Sequence, residues 1–210
     1  MKIESLGYLS FLLSFDHLNM LTDPLSLEDI GLKVPKKKTD AVIYSKNLDE
    51  KSMEKTESLF TPSRKDRVLH IKAPGEYELG GLMIRRGIDS NVYILDEDDL
   101  RILYIGYISK EVKVDDFKNL GDVDVLIIPV GDGANFPEFG DVVKIVNKVD
   151  PLVLIPSGYK TDDMKAGGDL KTVQEFLKQA GYTNVRYEKS INVSGGVDKE
   201  VRNMDVVILE

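Results

Sequence analysis

The sequence has no cysteine, no tryptophan and only two histidines, His17 and His70, among its 210 residues. Without cysteine, the chain can form no disulfide, no thiolate zinc site and no cysteine nucleophile. The two histidines lie far apart in sequence, so neither belongs to a local two-histidine metal motif. Thiolate and imidazole are the usual protein ligands of zinc, and the composition therefore offers little material for a zinc centre.

Positive charge is also scarce. The chain has 28 Lys and Arg against 36 Asp and Glu, which gives a net charge of −8. A protein this acidic repels phosphate backbones unless it concentrates its basic residues on one face. The densest basic runs, Lys36–Lys38 and Arg64–Arg67, have the character of solvated loops. We therefore expect no nucleic-acid partner.

Long apolar runs are missing as well. No segment reaches the roughly 18 apolar residues of a membrane-spanning helix. The first residues, Met1–Ser5, lack the basic stretch and apolar core of a secretory signal. These features predict a cytoplasmic protein without membrane contact. The hydrophobic fraction of 42% and the charged fraction of 30% are those of an ordinary globular chain.

Strands dominate the first half of the chain, and strands alternate with helices in the second half. Short apolar or alternating segments such as Leu9–Phe15 and Leu18–Thr22 predict strands joined by turns. Val123–Val130 is a continuous apolar run, typical of a strand covered on both faces. Asp49–Leu59 predicts a short exposed helix, and valines at helical spacing predict another over Pro137–Val149.

The last predicted helix begins with Asp169 as its N-cap and is closed by Gly181. The acidic run Asp96–Asp99 lies between two strand-like segments and predicts a hairpin turn rather than a calcium site. No repeat, low-complexity tract or linker interrupts the pattern. We expect one layered α/β domain over residues 1–210.

Several segments, taken in order, resemble the metallo-β-lactamase superfamily. The closest likeness is to its small branch related to ascorbate-6-phosphate lactonase and zinc-dependent hydrolase-like proteins, and it extends over nearly the whole chain. The resemblance implies an α/β fold of the four-layer αββα sandwich type. The segments are Leu6–Leu12, Leu21–Pro24, Ala73–Glu78, Val123–Gly131 and Ile155–Thr161.

The metal motif of that superfamily, His-x-His-x-Asp-His, corresponds here to Ser-Lys-Asn-Leu-Asp-Glu. By this correspondence the three histidines are replaced by Ser45, Asn47 and Glu50, and only Asp49 persists. Neutral serine and asparagine oxygens bind zinc weakly. The segment also fails as a calcium-binding EF-hand loop, because Glu50 stands where that loop needs glycine.

The resemblance locates three more former metal-site positions. Tyr8 stands at a histidine near the opening strand, Tyr107 in the loop of the bridging aspartate, and Gly158 at the last histidine. The family implies zinc, but with these replacements we expect no metal cofactor. We also expect one or both tyrosines to fill the vacated cavity, with their hydroxyls bonded to Asp49, Asn47 or water.

The leading functional hypothesis is a catalytically degenerate metallo-β-lactamase-fold protein. It would act as a non-enzymatic scaffold or as a module that binds a protein partner or a small ligand. Since relatives in this branch are commonly oligomeric, the resemblance also allows a homo-oligomer. The alternative is a metal-dependent hydrolase of a phosphorylated, ester or lactone metabolite that uses Asp23, Asp49 and Glu50 with a hard cation.

A third hypothesis is an anion-binding module that uses Arg86 and Lys160 without chemistry. Adjacent strand residues point to opposite faces, so at most one of Arg85 and Arg86 faces the former pocket. Ser157 with Lys160 forms a Ser-x-x-Lys spacing that is more simply chance. The structural interpretations of the acidic candidates are a backbone turn at Asp23 and a helix cap at Asp49.

Three other features have structural interpretations. Gly131–Ala134 lies between a strand and a helix but lacks the glycine pattern of a phosphate-binding loop. His17 belongs to an exposed turn, and His70 packs within a strand.

Overall fold

The structure, a computed structural model, describes residues 1–87, 91–133, 136–196 and 203–210. The helices are α1 (Ser26–Asp29), α2 (Glu50–Leu59), α3 (Phe139–Val149) and α4 (Val173–Ala180), with a 3₁₀ turn at Val114–Phe117. The strands are β1 (Lys2–Gly7), β2 (Ser10–Ser14), β3 (Asn19–Thr22), β4 (Ala41–Ile43), β5 (Leu69–Ile71), β6 (Gly75–Leu79), β7 (Leu82–Arg86), β8 (Val92–Glu97), β9 (Leu100–Ile105), β10 (Val125–Pro129), β11 (Val153–Ser157), β12 (Val185–Glu188), β13 (Ser190–Asn192) and β14 (Asp205–Leu209).

Two sheets form the centre of the molecule. One has six strands in the order β13-β1-β2-β3-β4-β5, and the other has eight in the order β12-β14-β11-β10-β9-β8-β7-β6. Buried side chains such as Phe11, Ile84 and Ile127 fill the space between the sheets. A second apolar cluster joins the larger sheet to α3 and α4, and a third, which includes Phe60, lies beside the smaller sheet at the end of α2. The layers run α, β, β, α, and the predicted sandwich is confirmed.

The strands that lead to the candidate site are parallel. β9, β10, β11 and β14 run parallel in the larger sheet, and β3, β4 and β5 run parallel in the smaller one. The carboxyl ends of parallel neighbours meet at one edge, where ligand sites of α/β proteins usually lie. All residues of β10 are buried, which confirms the prediction from its apolar run.

The exposed helix predicted from the polar segment is confirmed as α2. Asp49 is its N-cap, and the Asp49 carboxylate accepts a hydrogen bond of 2.8 Å from the Ser52 backbone N–H. The valine-rich helix is confirmed as α3, although it begins at Phe139. It ends at Asp150, whose left-handed backbone (φ 51°) stops the helix.

The start predicted for the last helix is wrong. α4 begins after Thr172 rather than Asp169, and Gly181 closes it as predicted. The Thr172 hydroxyl accepts from the Glu175 backbone N–H, and the Glu175 carboxylate accepts from the Thr172 backbone N–H. This reciprocal pair satisfies two backbone donors, whereas a lone aspartate cap satisfies one.

The acidic run forms the predicted hairpin turn. β8 ends at Glu97, β9 begins at Leu100, and Asp98 between them has a φ of 50°. Among the described residues, no helix combines the length and apolar character required to cross a membrane.

Candidate functional site

A buried carboxylate lies at the centre of the former metal-site region. Asp23 follows β3 and is 3% exposed. Its Oδ1 accepts a 2.8 Å hydrogen bond from the Ser45 backbone N–H, and its Oδ2 accepts 2.5 Å bonds from the Ser45 hydroxyl and the Tyr104 hydroxyl. Burial raises the pKa of Asp23, and the hydrogen bonds from Ser45 and Tyr104 oppose that rise. We call these three residues the Asp23 network.

Ser45, at the family's first histidine position, is fully buried within this network. Its hydroxyl donates to Asp23 and accepts a 2.8 Å hydrogen bond from the Tyr107 backbone N–H. A side chain at Gly106 would collide with the Ser45 side chain and with the Asp23 carboxylate. The Gly106 backbone is therefore packed directly against Ser45 and Asp23, with no room for a side chain between them.

A second group of side chains closes the region from outside. The Tyr107 hydroxyl donates to the Asp29 carboxylate, and Lys46 Nζ lies 2.8 Å from the same carboxylate. Lys46 Nζ also lies 4.4 Å from the centre of the Tyr107 ring, a cation–π distance. We call these residues the Asp29 cluster. The protein partner predicted for the Tyr107 hydroxyl, Asp49 or Asn47, is wrong, because this hydroxyl bonds Asp29 of α1. That a tyrosine fills a vacated metal cavity stays a prediction.

The rest of the degenerate motif turns away from the Asp23 network. Asn47, Asp49 and Glu50 are exposed, and the Asp49 carboxylate serves as the N-cap of α2. Hydrogen bonds from Ser52 lower the pKa of Asp49. Asp23, by contrast, is buried at the end of β3. The structure does not bring the two aspartates and Glu50 together as one set of ligands.

The donor set does not fit a zinc centre. Among the described residues, no group of three His, Cys, Asp or Glu side chains is placed to hold a metal ion. The Ser45 hydroxyl is hydrogen-bonded to protein partners, and the Asp49 carboxylate caps the N-terminus of α2. A metal would have to displace these bonds and would gain only weak oxygen ligands.

Tyr8 and Gly158 meet through their backbones. Tyr8 lies in the turn after β1 with a φ of 53°, and its carbonyl accepts a 3.0 Å hydrogen bond from the Gly158 N–H. Gly158 has a φ of 62°, and a Cβ there would lie 2.8 Å from Pro129 and 3.0 Å from Leu9. The Tyr8 ring packs 6.1 Å from the Phe136 ring. A histidine therefore cannot occupy position 158 without strain.

Arg85 and Arg86 point to opposite faces of β7, as their adjacency predicts. Arg85 pairs with Asp96 at 2.5 Å. Arg86 is 7% exposed, donates to the Lys72 carbonyl at 2.5 Å, and lies 5.5 Å from the centre of the Tyr93 ring. It also approaches the Ser45 carbonyl at 3.5 Å. The Arg86 guanidinium thus supports the backbone behind the Asp23 network.

Lys160 belongs to a different place, a cleft of about 540 Å³ that includes Tyr8 and Gly158 but not Arg86. We call it the β11–β14 cleft, since it lies at the carboxyl ends of those strands. Ser157, 1% exposed, lines this cleft, and its hydroxyl has no hydrogen-bond partner among the described residues. Ser157 and Lys160 therefore line the same cleft. Arg86 does not line it, so the two cations of the anion-binding hypothesis, Arg86 and Lys160, do not share one site.

The histidines take structural positions. His17 is exposed in a bend between β2 and β3. His70 is half-buried in β5, with its Nδ1 2.8 Å from the Tyr44 hydroxyl, and burial lowers its pKa. Of the glycine-rich loop considered for phosphate, Ala134 lies outside the described residues.

Sequence reasoning missed three residues of this region, Asp29, Lys46 and Tyr104. No sequence pattern marks the side chain of Asp29 or Lys46 as functional, and only the fold brings their segments together. Tyr104 could have been noticed, because alternation along β9 places it on the inner face of the larger sheet.

Comparison with known proteins now identifies the family. Residues 2–157 match the family model described as the beta-lactamase superfamily domain. The chain belongs to this superfamily. No curated protein sequence resembles it closely enough to count as a match.

Solved structures of metallo-β-lactamase-fold proteins share the architecture. One from Thermotoga maritima, assigned as a zinc-dependent hydrolase of the metallo-β-lactamase superfamily, is 20% identical with a TM-score of 0.75, over 99% of this chain and 98% of that one. A metallo hydrolase from Ignicoccus hospitalis is 16% identical with a TM-score of 0.59, over 86% and 90% of the two chains. An isothiocyanate hydrolase from Delia radicum gut bacteria is 14% identical with a TM-score of 0.62, over 86% and 91%. At these identities the likeness establishes the fold alone.

Proposed function

We propose that this protein is a non-enzymatic member of the metallo-β-lactamase superfamily that works without a metal centre. Its role would be to bind a protein partner or a small ligand, in the cytoplasm. The observation that carries the proposal is the Asp23 network, in which the buried Asp23 carboxylate accepts hydrogen bonds from Ser45, the residue predicted to stand at the first histidine position.

The geometry of this network supports the proposal because both carboxylate oxygens of Asp23 already accept hydrogen bonds from the protein. Asp23 accepts three of them, two from Ser45 and one from Tyr104. Hydrogen bonds to a buried carboxylate stabilise its charged form. Moving the carboxylate onto a metal would leave the two Ser45 donors without their acceptor, at about 1–3 kcal/mol each.

The glycine positions support the same view. A side chain at Gly106 would collide with Ser45 and Asp23, and one at Gly158 would press on Pro129 and Leu9. Neither position therefore accepts a ligand side chain without displacement of its neighbours, although Gly158 also lines the β11–β14 cleft. A metal-dependent hydrolase needs such ligands to hold the metal that activates its water.

The experiment is a hydrolysis panel of ester, lactone and phosphodiester substrates, with zinc, manganese or magnesium added. The proposal expects no turnover above a heat-denatured control with any metal. Turnover that follows protein concentration and disappears in Asp49→Ala would overturn it. Asp66→Ala is the matched control, since Asp66 is an exposed carboxylate outside the degenerate motif and outside the lining of the β11–β14 cleft.

A second candidate is a metal-dependent hydrolase of a phosphorylated, ester or lactone metabolite. The structural relatives favour it, because those compared above are described as hydrolases. It needs Asp23, Asp49 and Glu50 on one cation, and burial of Asp23 with exposure of the other two weighs against that arrangement. The same panel separates the two candidates.

A further inference from the structure

The β11–β14 cleft has the size and position of a small-molecule site. Its volume of about 540 Å³ falls within the range of ligand pockets. It lies between the smaller sheet, represented by Leu6 and Phe11, and the end of the larger sheet, represented by Ser157 and Leu209. Ile30 and Leu32, which follow α1, add apolar surface. Its floor is therefore apolar and its rim polar.

Negative charge predominates along the rim. Asp162, Asp163 and Glu210 line the cleft against one basic residue, Lys160. Hydrogen bonds from Thr172 lower the pKa of Glu175, and the positive charge of Lys160 lowers it further. With three carboxylates against one ammonium, the side chains that line the cleft carry net negative charge.

Tyrosines stand beside these carboxylates. Tyr8, Tyr159 and Tyr187 line the cleft, and Tyr187 is 48% exposed on the edge strand β12. Burial, together with the negative charge of Glu210, raises the pKa of Tyr159 to about 12. Tyr159 and Glu210 line the same cleft. Tyrosine faces next to a carboxylate attract ammonium groups through cation–π and charge interactions.

One hydroxyl beside the cleft is buried. Ser157 is 1% exposed, lines the cleft, and its Oγ has no partner among the described residues. A buried polar atom without a partner is costly. The Oγ itself is covered by protein, so the recognition of a ligand rests on the tyrosines and carboxylates of the cleft.

We infer that the β11–β14 cleft binds a small molecule that combines an ammonium group with an aromatic or apolar body. The ammonium lies against Glu210, Tyr159 and Tyr187, and the apolar body packs toward Phe11 and Leu209. The inference rests on the proposed function in one respect, since the bound molecule is held and not hydrolysed.

The test is isothermal titration calorimetry of the whole chain at pH 7 and low salt with two matched probes. Phenethylamine carries a phenyl ring and an ammonium, and 3-phenylpropionate carries the same ring and chain with a carboxylate. We expect saturable binding of the amine in the millimolar range, about tenfold tighter than binding of the acid. Glu210→Gln and Tyr187→Ala should each weaken the amine about fivefold.

The matched control is Glu188→Gln. Glu188 is an exposed carboxylate on β12 that faces Arg186 at 3.6 Å and is not part of the cleft lining. It should leave the amine affinity unchanged. Glu210 and Tyr187 are both exposed, so their variants should keep the wild-type circular dichroism spectrum.

Equal or tighter binding of the acid would overturn the inference in favour of an anion site at Lys160. Absence of saturable binding by the amine, or equal weakening by Glu188→Gln, would overturn it as well. These outcomes are distinct from failure of the proposed function. Metal-dependent turnover with intact amine binding would refute only the non-enzymatic role, whereas absence of both turnover and amine binding would refute only the ligand assignment.

Discussion

The former metal-site region and the β11–β14 cleft lie at the carboxyl ends of neighbouring strands, yet their polar groups are used differently. Around Asp23, the carboxylate, the Ser45 hydroxyl and the Tyr104 hydroxyl satisfy one another. In the cleft, the buried Ser157 hydroxyl has no partner among the described residues. Buried polar groups without partners are destabilising. The polar groups around Asp23 are therefore paired within the protein, whereas the adjacent cleft presents tyrosines and carboxylates to an open space.

The largest effect expected at the closed site comes from Asp23→Ala. The substitution leaves the Ser45 N–H and hydroxyl without their acceptor, whereas the Tyr104 hydroxyl keeps the Leu9 carbonyl at 2.9 Å. We expect a loss of about 4 kcal/mol in the free energy of unfolding, since each unsatisfied buried donor costs about 1–3 kcal/mol. Urea denaturation measures it. Asp49→Ala, which removes only an exposed helix cap, is the control and should cost about 1 kcal/mol. Equal costs for the two substitutions would contradict the distinction between a buried network and a surface cap.

Tyr107→Ala should have the next largest effect, about 3 kcal/mol, because it removes a packed ring together with its bond to Asp29. Tyr107→Phe keeps the ring and loses the hydroxyl, and should cost about 1 kcal/mol. Thermal and urea unfolding of both variants check this. If the alanine variant were as stable as wild type, the packing of Tyr107 in the Asp29 cluster would not stabilise the fold.

Substitutions at Gly158 test whether this position accepts a histidine, the residue that the family resemblance predicts there. Both Gly158→His and Gly158→Ala place a Cβ against Pro129 at a φ of 62°. We expect each to lose about 2 kcal/mol of stability, since the strain comes from the backbone and the first side-chain atom. Zinc titration of the histidine variant should show no gain in affinity over the alanine variant. Tighter zinc binding by the histidine variant would show that the region is open.

The pH dependence of stability tests the state of Asp23. Burial raises its folded-state pKa above the unfolded value of 3.8, so the folded protein holds the proton more tightly. The contribution of Asp23 to stability is therefore full below pH 3.8 and falls as the pH rises through the folded-state pKa. Other carboxylates act in the opposite direction, so the measurement is the difference between wild type and Asp23→Asn across the acidic range. A difference that does not change with pH would contradict the raised pKa.

The sequence predicted the architecture better than the site. Apolar alternation and the buried run of β10 indicated the strands, and Asp49 before a polar helix indicated its cap. The start of α4 was predicted wrongly, although Glu175 three residues after Thr172 was a readable capping signal. The Asp29 cluster could not be predicted, because it joins α1, the loop after β4 and the loop after β9. Only tertiary packing fixes such contacts, and no local pattern encodes them.

The metal content of the purified protein tests most directly the proposal that the protein works without a metal centre. The protein would be produced in medium supplemented with zinc, manganese and iron, dialysed, and measured by elemental analysis against protein concentration. We predict far less than one metal ion per chain, with the same metal content in Asp49→Ala. One or more metal ions per chain, lost when Asp49 is replaced, would contradict it.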